Sequence, residues 1–93
     1  MTQYPALFEP FTLNSLEIPN RIVMAPMTRS FSPGGVPSAE VAAYYRRRAE
    51  GGTGLIITEG TTIDHDAASG DPKIPNFHRP DSLEGWKRVA AEV

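Results

Sequence analysis

Short apolar patches separated by breakers run along the whole chain, and their spacing sets the elements. Phe11, Leu13, Leu16 and Ile18 flank Asn14-Ser15, a turn-forming pair, before Pro19-Asn20 interrupts, which predicts a small hairpin. From Arg21 the run Ile22-Val23-Met24-Ala25 is apolar without alternation, as in a strand buried on both faces of a parallel sheet, and Pro26 ends it. Ser32-Pro33-Gly34-Gly35 and Pro37 then form a loop. Ser38 suits an N-cap, because its hydroxyl can accept a free backbone N–H of the next turn. Val41, Ala42, Tyr45 and Ala49 share one face of the helix that follows, Glu40 suits its positive end, and Gly51-Gly52 terminate it.

A second apolar run, residues 54–58, again reads as a fully buried strand. Strand, helix and strand over residues 21–61 have the length of one βαβ unit with a right-handed crossover. Residues 62–80 read as a long polar loop. Asp81 then caps a second helix, with Glu84 in capping-box spacing and Leu83, Trp86, Ala90 and Val93 as its apolar stripe; Gly85 weakens it by about 1 kcal/mol relative to alanine. Two parallel strands and two helices cannot close a barrel or fill an open sheet, so the chain reads as one end of a larger α/β protein.

Composition narrows the picture. Nine Lys+Arg against eleven Asp+Glu give a net charge of −2, and only two residues are lysine, which argues against nucleic-acid binding. No cysteine is present, so no disulfide can supplement the modest core of a 93-residue domain, which hides only about 60% of its unfolded surface. No apolar run approaches membrane-spanning length, and residues 1–5 lack the plan of a signal peptide, so the expected location is the cytoplasm and no membrane partner is expected. No repeat or linker-like tract marks an internal boundary, and residues 1–93 read as part of one domain.

Three segments carry a specific resemblance. LFEP (residues 7–10), NRIVMAPMTR (residues 20–29) and YYRRRAEGGTGLIITEGT (residues 44–61) resemble, in order and spacing, the opening of the Old Yellow Enzyme family of FMN-dependent ene-reductases. The resemblance covers essentially the whole chain. It implies an N-terminal hairpin that caps the bottom of a TIM (β/α)8 barrel, followed by the first two βα units, with the barrel incomplete in this chain. The residues alone leave a barrel and a doubly wound sheet equally open; the resemblance selects the barrel. It further implies FMN as cofactor, NAD(P)H as reductant and an α,β-unsaturated carbonyl compound as the small-molecule substrate.

Barrel chemistry sits at the C-terminal ends of the strands. By resemblance, the backbone around Ala25, Pro26 and Met27 lies along the flavin ring. Thr28 donates a hydrogen bond near its O4 and N5 edge, which tunes the redox potential, and Gly60 lets backbone approach the ring. No catalytic residue of the family falls in this segment: the glutamine-bearing strand, the His/Asn or His/His pair, the general-acid tyrosine and the phosphate-binding strands are absent. Many members carry an active-site tyrosine in the loop after the second strand. Residues 63–78 contain none, and Gly70 falls near that place.

Other features read blandly. Glu59 at a strand end is expected to pair with Arg29, and Gly51-Gly52-Thr53-Gly54 precedes a strand, unlike a phosphate loop. Asp64, His65, Asp66, Asp71 and His78 fit no closed metal site and read as a solvated loop. Tyr44 and Tyr45 should point to different helix faces, and residues 46–48 should be a solvated face. Two functional readings stand: a flavin-dependent ene-reductase as the parent protein, and a non-catalytic building piece that needs the remainder of the barrel or self-associates through its open faces. A dienoyl-CoA reductase or amine-dehydrogenase relative is the alternative within the superfamily.

Overall fold

The computed structural model describes residues 3–93; Met1 and Thr2, part of the stretch read as lacking a leader plan, lie outside the described residues. Pro5–Phe8 makes a short 3-10 turn. The hairpin follows as β1 (Phe11–Leu13) and β2 (Leu16–Ile18), antiparallel with Phe11 opposite Ile18. Asn14 takes the left-handed conformation of its turn at φ 52°, a conformation asparagine tolerates. Arg21 ties this unit to what comes next: its N–H donates to the Leu7 carbonyl at 2.7 Å and its guanidinium lies 5.3 Å from the Phe11 ring centre.

β3 (Val23–Met24) and β4 (Leu55–Ile56) pair in parallel, Val23 with Leu55 and Met24 with Ile56, and α1 (Ala39–Glu50) crosses between them. The Ser38 hydroxyl accepts from the Val41 N–H at 3.4 Å, as its position predicts, and Gly51 closes the helix by donating to Arg47. At the N-terminal ends of the strands Asn20 acts as a clamp. Its side-chain amide donates to the Gly52 carbonyl at 2.7 Å and its Oδ1 accepts from the Ile22 N–H at 3.0 Å. Only glycine fits at position 54, because a Cβ there would stand 2.7 Å from the Asn20 carbonyl oxygen.

The core lies on one side of the strand pair. Val41, Ala42 and Tyr45 of α1 are buried against Trp86 and Val89 of α2 (Pro80–Glu92), with Met24, Tyr44 and Ile56 packed on them. Three expectations are corrected here. The strands are two residues long, and their apolar runs are not buried on both faces: Val23 is 46% exposed and Ile57 46%, because the helices cover only one side of the pair. Asp81 is not the cap of α2. Pro80 occupies the first helical turn, where its missing N–H costs nothing, and Asn76 Oδ1 accepts from the N–H groups of His78 and Arg79 just before it. The buried face of α2 is Ser82, Gly85, Trp86 and Val89, while Leu83, Ala90 and Val93 are exposed. Small residues at 82 and 85 let α2 approach closely, which hydrophobicity alone does not signal.

The loop over residues 62–80 is stitched in place. Thr62 donates its N–H to the Pro75 carbonyl at 3.0 Å, the Asn76 N–H donates to Gly35, and the Trp86 indole donates to the Asn76 carbonyl at 3.0 Å.

Candidate functional site at the strand ends

Beyond β3 the chain runs on through Ala25, Pro26, Met27 and Thr28, all exposed and outside any helix or strand. Beyond β4 it reaches Glu59 and Gly60. The two C-terminal ends meet where the Gly60 N–H donates to Thr28 Oγ1 at 3.2 Å. A Cβ on residue 60 would stand 3.0 Å from that oxygen, so a small residue keeps this edge thin. With its oxygen accepting from Gly60, the Thr28 hydroxyl keeps its proton to give to a third group. Thr28, Gly60, Thr61, Ile63, Ala68 and Ser69 border an open cleft of about 320 Å³. Five residues read from the sequence as cofactor contacts thus lie on two adjacent strand ends, and two of them touch.

Behind this edge is a buried polar pair. Tyr45 Oη donates to Glu59 Oε2 at 2.8 Å and accepts from the Glu59 N–H at 2.9 Å; Tyr45 is 1% and Glu59 3% exposed. Burial, the largest influence, pushes the Tyr45 phenol up to about 12, which keeps it protonated as the donor. This corrects the expectation that Glu59 pairs with Arg29. The Arg29 guanidinium instead stacks on the Tyr44 ring, 3.4 Å from its centre, and lies 5.2 Å from the Phe31 ring centre. Arg48 lies 3.6 Å from the centre of the same Tyr44 ring, so residues 46–48 are not uniformly solvated. Arg46 likewise bridges Glu50 and Glu92. Tyr44 is half-buried and Tyr45 fully enclosed, as expected, yet their rings meet edge-on with centres 5.3 Å apart.

Nothing local in the sequence marks the Tyr45–Glu59 link. A carboxylate closing an apolar run was the available signal, and its partner is fourteen residues away on a different element. On the loop side, the Ser30 hydroxyl donates to Asp71 Oδ2 at 2.7 Å and the Lys73 N–H to Oδ1 at 2.9 Å. The Lys73 N–H first and the Ser30 hydroxyl second hold the Asp71 carboxyl below its ordinary range. Among the described residues no three His, Asp or Glu side chains gather to hold a metal ion, and no helix is long and apolar enough to cross a membrane.

Comparison with known proteins agrees with the geometry. Residues 6–93 match the profile of the NADH:flavin oxidoreductase / NADH oxidase family. 12-Oxophytodienoate reductase 7 of Oryza sativa subsp. japonica is 38% identical over 87 residues, which is 94% of this chain and 22% of the rice protein. Among solved structures, morphinone reductase in complex with tetrahydroNAD superposes with a TM-score of 0.84 at 42% identity over 95% of this chain and 23% of that one. The old yellow enzyme from Trypanosoma cruzi does so with a TM-score of 0.85 at 32% identity over 98% of this chain and 24% of that one. The chain therefore spans about a quarter of the length of these relatives, and its hairpin and two βα units are the N-terminal portion of their TIM barrel.

Proposed function

Because the chain belongs to the NADH:flavin oxidoreductase / NADH oxidase family, we propose that residues 1–93 are the N-terminal part of a single TIM-barrel domain that holds FMN against the ends of β3 and β4. When bound, FMN would supply the hydride chemistry that links NAD(P)H oxidation to reduction of the activated C=C of an α,β-unsaturated carbonyl compound, with the second hydrogen arriving as a proton from outside this chain. This chain's residues bind and orient the ring. The backbone of Ala25, Pro26 and Met27 lines one edge, the Thr28 hydroxyl donates to the electron-rich O4 and N5 side, and Gly60 leaves the space that a side chain would fill.

The observation that carries this reading is the contact between the Gly60 N–H and Thr28 Oγ1. It gathers a hydroxyl donor and a side-chain-free backbone onto the C-terminal face, where barrels place their chemistry. Such an edge fits a flat, electron-accepting ring. Two of the similar proteins are named as reductases, and one of these was solved with tetrahydroNAD, which supports a nicotinamide as reductant. The test is made on the complete protein: FMN should bind stoichiometrically with quenched fluorescence, and NADPH or NADH should drive reduction of cyclohexenone. A complete protein that takes up no FMN would overturn the reading.

A further inference from the structure

Beyond β4, two consecutive residues each give their backbone N–H to a side-chain hydroxyl from another part of the chain. The Glu59 N–H goes to Tyr45 Oη of α1 at 2.9 Å, and the Gly60 N–H goes to Thr28 Oγ1 at 3.2 Å. The parallel ladder no longer serves these groups. Its final bond runs from the Ile57 N–H to the Met24 carbonyl at 3.2 Å. Tyr45 closes the arrangement by donating its own proton to Glu59 Oε2, so its oxygen is held from both sides and residue 59 is held at both backbone and side chain.

Gly60 needs such a hold. A glycine has the widest backbone freedom of any residue, and it carries no side chain with which neighbours could fix its peptide. Its N–H direction is therefore set by the residue before it, and that residue is anchored to Tyr45. A hydroxyl has one proton and two lone pairs. When the Gly60 N–H occupies a lone pair of Thr28 Oγ1, fewer rotations remain for the Thr28 proton, and those that remain point away from Gly60.

We propose that Tyr45 is a positioning residue for the flavin edge: it fixes the peptide at 59, which aims the Gly60 N–H at Thr28 Oγ1 and leaves the Thr28 proton to be given outward. The inference rests on the reading that Thr28 meets FMN. It adds that the donor's aim is set from helix α1 by a side chain with its own buried partner.

The experiment uses the complete protein and the variants Tyr45→Phe, Thr28→Ala and the two combined. Two quantities are read: amide hydrogen exchange at Glu59 and Gly60 without FMN, and the midpoint potential of bound FMN. Tyr45→Phe is expected to speed exchange at Gly60 as well as Glu59, and to lower the potential in the same direction as Thr28→Ala. In the Thr28→Ala background it should shift the potential no further. Tyr45→Phe also strands a buried carboxylate; should it fail to fold, Tyr45→Phe/Glu59→Gln leaves no charge stranded and carries the same expectations. A variant that only melts earlier, with Gly60 exchange and potential unchanged, overturns the proposal and reduces Tyr45 to a core brace. An equal shift with and without Thr28 overturns it too. If Thr28→Ala leaves the potential unchanged, the flavin reading falls by itself, and Gly60 exchange still decides whether Tyr45 controls that peptide.

Discussion

Gly85 of α2 lies so close to Pro37 that a Cβ at position 85 would stand 2.5 Å from the Pro37 carbonyl oxygen and 3.0 Å from its Cδ. Backbone and a rigid ring cannot yield as a flexible side chain would. Gly85→Ala gains about 1 kcal/mol of helix propensity but forces α2 away from the loop before α1, an overpacking that costs about 1–3 kcal/mol or more. Because the clash is with backbone, the cost falls at the upper end of that range, and the expected outcome is a net loss of about 1–2 kcal/mol in denaturant unfolding of the complete protein. An unchanged or raised midpoint would mean that the two segments separate easily.

Tyr45 links stability to alkaline pH. Its folded-state phenol is raised from 10.0 to about 12, so the folded state holds its proton more tightly than the unfolded one. That contribution is fully present below pH 10 and is lost as pH rises toward about 12. The loss is on the order of 2–3 kcal/mol, and Tyr45→Phe should remove this part of the pH dependence while lowering stability at neutral pH. Urea titrations at a series of alkaline pH values check it; parallel curves for the two proteins would contradict the expectation.

Replacing Thr28 by alanine in the complete protein should leave FMN bound, because the phosphate and ribityl contacts of the proposed site lie outside this chain. The flavin potential should fall and its reduction by nicotinamide should slow by about tenfold or more, since a hydrogen bond to an electron-rich acceptor is worth about 1.5–3 kcal/mol. Thr28→Ser keeps the hydroxyl and should stay near the parent value. A redox titration with stopped-flow reduction compares the three proteins.

This chain on its own should neither retain FMN nor reduce an enone, and it should self-associate. Val23, Leu55 and Ile57 leave apolar side chains exposed along the two-stranded sheet, and Met27 is 60% exposed as well. Open strand edges with apolar faces pair with other chains. Light scattering and FMN titration of the purified 93-residue chain test both halves. A monomer that binds FMN tightly and turns over cyclohexenone would show that nothing beyond these residues is needed.

Much of this fold was legible because its signals are local. Val41, Ala42 and Tyr45 recur at helical spacing behind a capping serine, and α1 forms there with that cap. The apolar runs around Val23 and Leu55 marked strands and their parallel pairing, but not their length or their bare face, which depend on what covers them. Pro80 marked the start of α2 more truly than Asp81 did, since a residue with no N–H is at no disadvantage in a first turn. The site was legible only as positions. Thr28 and Gly60 were each singled out, yet their mutual hydrogen bond joins residues 32 apart, and the Tyr45–Glu59 link has no sequence pattern of its own.

The same interval of 32 recurs along the whole strand pair. It separates Asn20 from Gly52 at one end, Val23 from Leu55 and Met24 from Ile56 in the middle, and Thr28 from Gly60 at the other end. The two segments behave as matched rulers pinned at both ends. Gain or loss of one residue inside either ruler alone breaks a pin, and it turns every following side chain of that segment to the opposite face. A change of length in the connection between the rulers, ahead of α1, leaves each ruler whole. Codon insertions and deletions should therefore be rejected within 20–28 and 52–60, a pattern that a deletion scan would display as two intolerant windows of equal width.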